Sequence, residues 1–196
     1  MNMLRRLLAV GIVVFAATSL LPAANVESAA YYTKVNIWYE DPAKILSTNY
    51  HRGAIIPYGS KVNILSKSGE KIKFTIENQA GVTFVLTNAR KYSLMTLDEL
   101  FAQYFSEKDP KSENMGFSGR EKENIENGTL AEGMSKEAVI AAYGYPPRHK
   151  TPALTSNLWT YWDARSIRRL VTFKNNKLTK HEEMDEYENG RPRWDY

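Results

Sequence analysis

Gly133-Met-Ser-Lys-Glu-Ala-Val-Ile-Ala-Ala-Tyr-Gly-Tyr-Pro-Pro147 is the stretch on which the reading of this chain turns. Ser135 stands where a hydroxyl caps a helix N-terminus, and Lys136 to Tyr143 follow as the helix itself. Val139 and Tyr143 lie one turn apart with Ile140 beside them, which gives the helix an apolar face. Gly144 falls at C′, where a left-handed residue ends a helix, and Pro146-Pro147 forbid continuation. Behind this helix, Leu158-Trp-Thr-Tyr-Trp162 and Ile167 to Lys174 read as strands, and Asn175-Asn176 turns the chain into Lys177-Leu-Thr-Lys180. In front of it, Ser118-Gly-Arg-Glu121 is a capping box that opens a short polar helix toward Asn127-Gly128. Helix, helix and antiparallel meander in that order is α+β segregation.

Upstream the period changes from helix to strand. Lys34-Val-Asn-Ile-Trp-Tyr39 alternates Val35, Ile37 and Tyr39 against Lys34, Asn36 and Trp38, which predicts one face in the core and the other in water. Ala54-Ile-Ile56, Val62 with Ile64, Lys71-Ile-Lys-Phe-Thr-Ile-Glu77, and Val82, Phe84 and Leu86 continue the series, with turns at Pro57-Tyr-Gly59, Ser68-Gly69 and Asn78-Gln-Ala-Gly81. Short strands at this spacing predict a small barrel or sandwich. Thr96-Leu-Asp-Glu99 is a second capping box, with Met95 and Leu100 at the positions of a hydrophobic staple. Leu97, Leu100, Phe101, Tyr104 and Phe105 form one helical stripe, ending before Asp109-Pro110, and the polar run after it reads as a linker. The expected organisation is a β module at 31–94, a helix and linker at 95–119, an α+β domain at 120–184 and a mobile tail at 185–196. In that tail Trp194 and Tyr196 form a candidate docking motif.

The start of the chain is of a different kind. Arg5 and Arg6, the apolar core Leu7 to Leu21, and small residues ending in Ser28-Ala29-Ala30 read as a secretory signal peptide over 1–30. Cleavage is expected after Ala30, with Ala24 and Ala29 as alternatives. The apolar core falls short of the roughly 20 residues a spanning helix needs, so a retained anchor is the lesser alternative. About 166 residues would remain, with a net charge of +3 once Arg5, Arg6 and Glu27 are gone. That charge is too mild to point to nucleic acid. The chain has no cysteine, which excludes a thiol nucleophile, a thiolate metal site, disulfides and a lipid-modified cysteine. The expectation is an exported, periplasmic protein without a lipid anchor, with peripheral attachment to the outer membrane as a variant.

Gly133-Met134-Ser135-x-x-x-Val139, Gly144-Tyr145-Pro146, Trp159-x-Tyr161 and Val171-x-Phe173-x-Asn175-Asn176-Lys177-Leu178 together resemble the SmpA/OmlA family, the BamE-like outer-membrane assembly lipoproteins, over residues 120–182. The resemblance implies two helices on an antiparallel three-stranded sheet, a fold shared with β-lactamase inhibitor proteins. It also implies partners among envelope or outer-membrane proteins. This chain departs from the family in lacking the lipid-bearing cysteine and in carrying an extra N-terminal module. Arg52-Gly-Ala-Ile-Ile-Pro-Tyr-Gly-Ser-Lys-Val62 is similar to the early strands of bacterial SH3-like domains, a likeness covering residues 33–90 without the Trp-Val pair that often closes them.

The motifs of chemistry are missing. No G-x-S-x-G elbow, P-loop or dinucleotide fingerprint occurs, and His51, His149 and His181 stand in separate segments. No catalytic residue, metal site or cofactor is expected, and the histidines read as solvent-exposed. Two surfaces are the candidates. Tyr143, Tyr145, Arg148, Trp159, Tyr161 and Trp162 would bind a protein partner, since alternation sends the aromatics of one strand to both faces. Arg165, Arg168, Arg169, Lys174, Lys177 and Lys180 concentrate positive charge on one hairpin, a candidate site for anionic lipid or cell-wall polymer. The leading expectation is a non-catalytic envelope interaction or scaffolding module, accessory to outer-membrane assembly. A lipid- or peptidoglycan-binding module and an inhibitor of a secreted enzyme are the alternatives. Oligomeric state is left open by the sequence.

Overall fold

Alternation of β-branched and aromatic residues builds the first half of the protein as strands. The computed structural model describes residues 30–79, 81–113, 116–185, 187–188 and 191–192. The expected signal segment, apart from Ala30, lies outside the described residues, as do Trp194 and Tyr196 of the expected tail. The first strands are β1 (Ala30–Thr33), β2 (Ile37–Tyr39), β3 (Ile45–Leu46), β4 (Ala54–Ile56), β5 (Lys61–Ser68), β6 (Lys71–Ile76) and β7 (Phe84–Thr87). Two helices follow, α1 (Arg90–Ser93) and α2 (Leu97–Tyr104), and then a short strand β8 (Phe105–Ser106). One curled mixed sheet runs β3-β7-β6-β5-β1-β8, with β3 parallel to β7 and the other pairs antiparallel, while β2 and β4 form a separate ribbon. Ile72, Phe74 and Ile76 all face the core, as their alternation predicts.

Two details differ from the alternation rule. The expected strand over 34–39 is interrupted, and Asn36, predicted to face water, is fully buried. The α2 capping box forms as read, with Thr96 Oγ1 accepting from Glu99 N at 3.2 Å and Glu99 Oε2 accepting from Thr96 N at 2.7 Å. The helix stops at Tyr104, short of Asp109-Pro110, because Phe105 and Ser106 pair with Thr33 and Tyr32 of β1. Sheet hydrogen bonding there outcompetes the continuation of the apolar stripe.

The second half contains α3 (Gly119–Asn127), α4 (Lys136–Tyr143), β9 (Leu158–Trp162), β10 (Ile167–Lys174) and β11 (Lys177–Asp185), with a small ribbon of β12 (Tyr187–Glu188) and β13 (Arg191–Pro192) beyond. β11, β10 and β9 form the antiparallel meander. Its turn is Asn175-Asn176, both with positive φ (51° and 64°), as a tight two-residue hairpin loop needs. α4 buries six of its eight residues, and its Ala138, Val139, Ala142 and Tyr143 pack with Trp159, Tyr161, Val171 and Phe173 of the sheet. Gly144 ends α4 as expected but not in the left-handed helical region: φ is 80° and ψ is −174°. That conformation is essentially glycine's own, and a Cβ there would collide with the Asn49 carboxamide. The whole is an α+β structure with few helices. No helix among the described residues is long and apolar enough to cross a membrane.

The two cores adjoin. Ile140 packs against both, and Tyr145 from the second half packs on the first. Asn36 joins them by hydrogen bonds. Its Nδ2 donates to Ile125 O at 2.7 Å and Ala142 O at 2.9 Å, its Oδ1 accepts from Tyr58 N at 2.7 Å, and its own N donates to Ala141 O at 3.0 Å. Both N–H groups of this carboxamide and one lone pair of its oxygen are therefore used inside the protein, which explains how a polar side chain sits at zero exposure.

Candidate functional site

The interior of the second half holds a polar network that no motif announces. Tyr143, at the last turn of α4, and Asp163, just past β9, meet as the Tyr143 hydroxyl donates to Asp163 Oδ1 at 2.8 Å. Arg169, on β10, brings Nε to 2.7 Å and Nη2 to 2.6 Å of Asp163 Oδ2. The same guanidinium reaches Glu183 Oε2 at 3.2 Å and donates to His181 Nδ1 at 3.3 Å, both on β11. His51 enters from the first half: its ring stacks on Tyr143 with centroids 3.4 Å apart, and its Nε2 donates to Tyr143 O at 2.7 Å. Its Nδ1 stands 3.2 Å from Asp163 Oδ1, at ion-pair distance but without hydrogen-bond alignment.

Burial pushes the Asp163 carboxyl up, but the contacts from His51, Arg169 and Tyr143 outweigh it and hold the group below the usual carboxylate range. Burial and the negative charge of Asp163 push the Tyr143 phenol up, beyond what Arg169 offsets. Burial and then the Arg169 guanidinium lower His181, consistent with a ring nitrogen that accepts from Arg169. The arrangement is thus a carboxylate saturated by donors, with a phenol that stays protonated. It orders side chains at the meeting of two halves. Among the described residues no three His, Asp or Glu side chains are placed to hold a metal ion.

Two further charged groups are equally committed. Glu121 Oε2 accepts from Ser118 N at 2.9 Å and Ser118 Oγ at 3.0 Å, closing the capping box of α3. Its Oε1 accepts from Ser135 N at 2.8 Å and Ser135 Oγ at 2.9 Å, so one carboxylate serves the caps of both α3 and α4. Burial raises this carboxyl, yet the four hydrogen bonds overcome it and set the pKa at about 2. Lys136 is buried, its Nζ donating to Leu154 O, Thr155 O and Ser156 O at 3.0, 3.2 and 2.8 Å, over the rings of Trp159 and Phe173.

These findings correct most of the expected surface. Tyr143, Trp159, Tyr161 and Trp162 are buried, so four of the six aromatic-surface candidates have no face to offer a partner. Alternation does send Trp162 to the opposite side from Trp159 and Tyr161. There it is covered by Tyr92 at 4.8 Å, His149 at 4.6 Å and the Arg168 guanidinium at 4.1 Å, which closes the second face as well. The basic hairpin loses two of its six members to internal contacts. Arg168 is buried on Trp162, Arg169 is held by Asp163 and Glu183, and Lys177 lies 3.5 Å from Glu121. Lys180 pairs with Glu182 at 2.7 Å, and Arg165, Lys174, Lys177 and Lys180 all remain exposed. The histidines are not solvent-exposed: His51 is buried, and His149 and His181 are half-buried.

Arg148 keeps an exposed position, with half-buried Tyr145 near it. They line a cleft of about 450 Å³ between α2 and the 145–154 segment, with Ala102, Gln103, Pro152 and Leu154 among its walls. Arg148 is 46 % exposed, with Nη1 3.9 Å from Glu99 Oε1, and Leu154 is 40 % exposed. Burial raises the Tyr145 phenol, which lies close enough to the fully buried Tyr104 and Tyr161 phenols to help push theirs up. A larger cavity of about 550 Å³ lies between Tyr58, Pro110, Phe117 and Ile125. A third, of about 290 Å³, lies beside Trp38, Leu46 and Tyr50. None of the three is lined by Asp163, Tyr143 or Arg169. No family model, no curated protein and no solved structure matches the chain.

Proposed function

We propose that this protein is a non-catalytic, exported interaction module of the cell envelope, and that its recognition surface is the cleft holding Tyr145 and Arg148. The observation that carries the reading is the contrast between committed and uncommitted groups. Asp163, Glu121, Lys136 and Asn36 are held by internal partners, whereas Arg148 presents a half-exposed guanidinium to a concave, partly apolar surface built by both halves, which Tyr145 also lines. Export rests on Arg5, Arg6 and the short apolar core that follows them. The SH3-like and BamE-like readings of the two halves belong to the same proposal. They are supported by the helix–helix–meander order and the glycine-bounded turn, and an accessory role in outer-membrane assembly would follow from them. The lipid or cell-wall reading loses support, because Arg168 and Arg169 are spent on internal contacts.

Photo-crosslinking in intact cells tests this. A benzophenone amino acid replacing Leu154, at the cleft, is expected to trap an envelope protein. The same group replacing Leu65, an exposed residue at 55 % on the first sheet, is expected not to. Equal or no trapping from the two positions defeats the reading, as does recovery of the protein with the cytoplasmic fraction.

A further inference from the structure

Lys136 is buried on α4, and its ammonium is matched one to one. Its three N–H groups meet three carbonyl oxygens, of Leu154 at 3.0 Å, Thr155 at 3.2 Å and Ser156 at 2.8 Å. The rings of Trp159 and Phe173 stand 5.4 and 5.3 Å from the same nitrogen and add attraction for the buried charge. What these bonds hold is the loop over 152–158, every residue of which is exposed. The other carbonyls of the loop turn inward too. Ala153 O accepts from Ser156 N at 3.1 Å, Asn157 O from Phe173 N at 2.8 Å, and Leu158 O from Ser156 Oγ at 3.1 Å. Every carbonyl from Ala153 to Leu158 therefore has a donor inside the protein. A loop bonded in this way cannot join another sheet as a strand, and it meets a partner through its side chains. Those side chains are neutral throughout, Pro152-Ala-Leu-Thr-Ser-Asn-Leu158, in a chain that is 24 % charged. Leu154 and Leu158 among them are 40 % and 51 % exposed. Depletion of charge marks the centre of an interface, and a loop already held in one shape loses little freedom on binding.

We infer that Lys136 is a positioning residue for recognition: its ammonium holds the 152–158 loop in the shape in which Leu154 and Leu158 enter an uncharged, apolar recess of a partner protein. Leu154 also lines the cleft with Arg148, so this role rests on the cleft reading above and names the element that makes the contact.

The test combines crosslinking in intact cells with proteolysis of the purified protein. A benzophenone amino acid replacing Leu158 is expected to trap the same adduct as one replacing Leu154. Lys136→Met keeps the stem and removes the donors. It is expected to lower trapping from both positions about fivefold at equal protein level, and to speed thermolysin cleavage before Leu154 or Leu158 about tenfold. Because that variant also removes bonds from the interior, Thr155→Gly with Ser156→Gly loosens the loop from its exposed side and is expected to lower trapping similarly. The absence of cysteine allows a rescue. Lys136→Cys, alkylated with 2-bromoethylamine and refolded, regains an ammonium on a stem of lysine's length and should regain resistance to thermolysin, whereas alkylation with iodoethane should not restore it. Equal cleavage of native protein and Lys136→Met overturns the positioning role, as does rescue by iodoethane. Faster cleavage with undiminished trapping in both loosened variants overturns it as well. Trapping from position 154 but not from 158 leaves the cleft reading standing and overturns the loop as the contact. Silence from both positions defeats the cleft reading and the contact together. Sedimentation with phosphatidylglycerol vesicles that Leu154→Asp abolishes would assign the loop to a bilayer and overturn the protein partner.

Discussion

Glu121 shows how far a single residue's role can exceed its motif. The sequence places it at N3 of one capping box, and the structure adds a second helix terminus to the same carboxylate. Its folded pKa of about 2 lies below the ordinary 4.5, so its contribution to stability is full above about pH 5 and is lost as pH falls through 4.5 toward 2. Glu121→Gln is expected to lower stability at pH 7 by about 2–3 kcal/mol, because it weakens charge-assisted bonds to two helix ends. The variant should also flatten the acid limb, which urea titrations between pH 2 and 7 would reveal. An unchanged acid limb would mean that other carboxylates dominate it. Asp163 has the same sign of shift, but nothing in its neighbourhood in sequence gives notice of His51, which lies more than a hundred positions away.

At the scale of elements, β9 is the instructive case. Its five residues, Leu158–Trp162, include two tryptophans and a tyrosine, and alternation correctly divides them between two faces. What alternation cannot say is whether the second face is covered. Here Tyr92 from α1, His149 and Arg168 cover it, so Trp162 is a second core residue and not a contact residue. Trp159→Ala is therefore expected to cost about 3–5 kcal/mol of folding stability through a cavity against Val139 and Phe173. Loss of binding in that variant would report unfolding, which a denaturant midpoint measured beside the binding assay distinguishes. Helix α4 was legible to the residue from Ser135 and Gly144, since caps and stops are local signals. The end of α2 was not legible, because the competing partner of Phe105 is β1, far back in the chain.

On the scale of the molecule, Asn36 decides how the halves behave. Alternation predicts it on the wet side of a strand, yet it bonds to α3, to α4 and to Tyr58, drawing both cores onto one carboxamide. His51 and Gly144, with Asn49 against it, reinforce the same seam. Asn36→Ala is expected to destabilise the protein by about 2–4 kcal/mol by leaving buried carbonyls and an amide without partners. The native protein should unfold in one calorimetric transition, with both halves melting together. Two resolved transitions in the native protein would show that the seam contributes little.

The amino-acid sequence by itself determined the elements whose causes are local: capping boxes at Thr96 and Ser118, the stop at Gly144, the Asn175-Asn176 turn, and the inward face of Ile72, Phe74 and Ile76. These depend on hydrogen bonds and periodicities that span a few residues, so composition and spacing carry them. The tertiary structure alone decided which polar groups are consumed and which are free. Burial of Trp162, the joining of His51 to Asp163, and the exposure of Arg148 beside Tyr145 all depend on segments distant in the chain coming together. Charge and aromatic content are properties of residues, but availability to a partner is a property of what else occupies the same space.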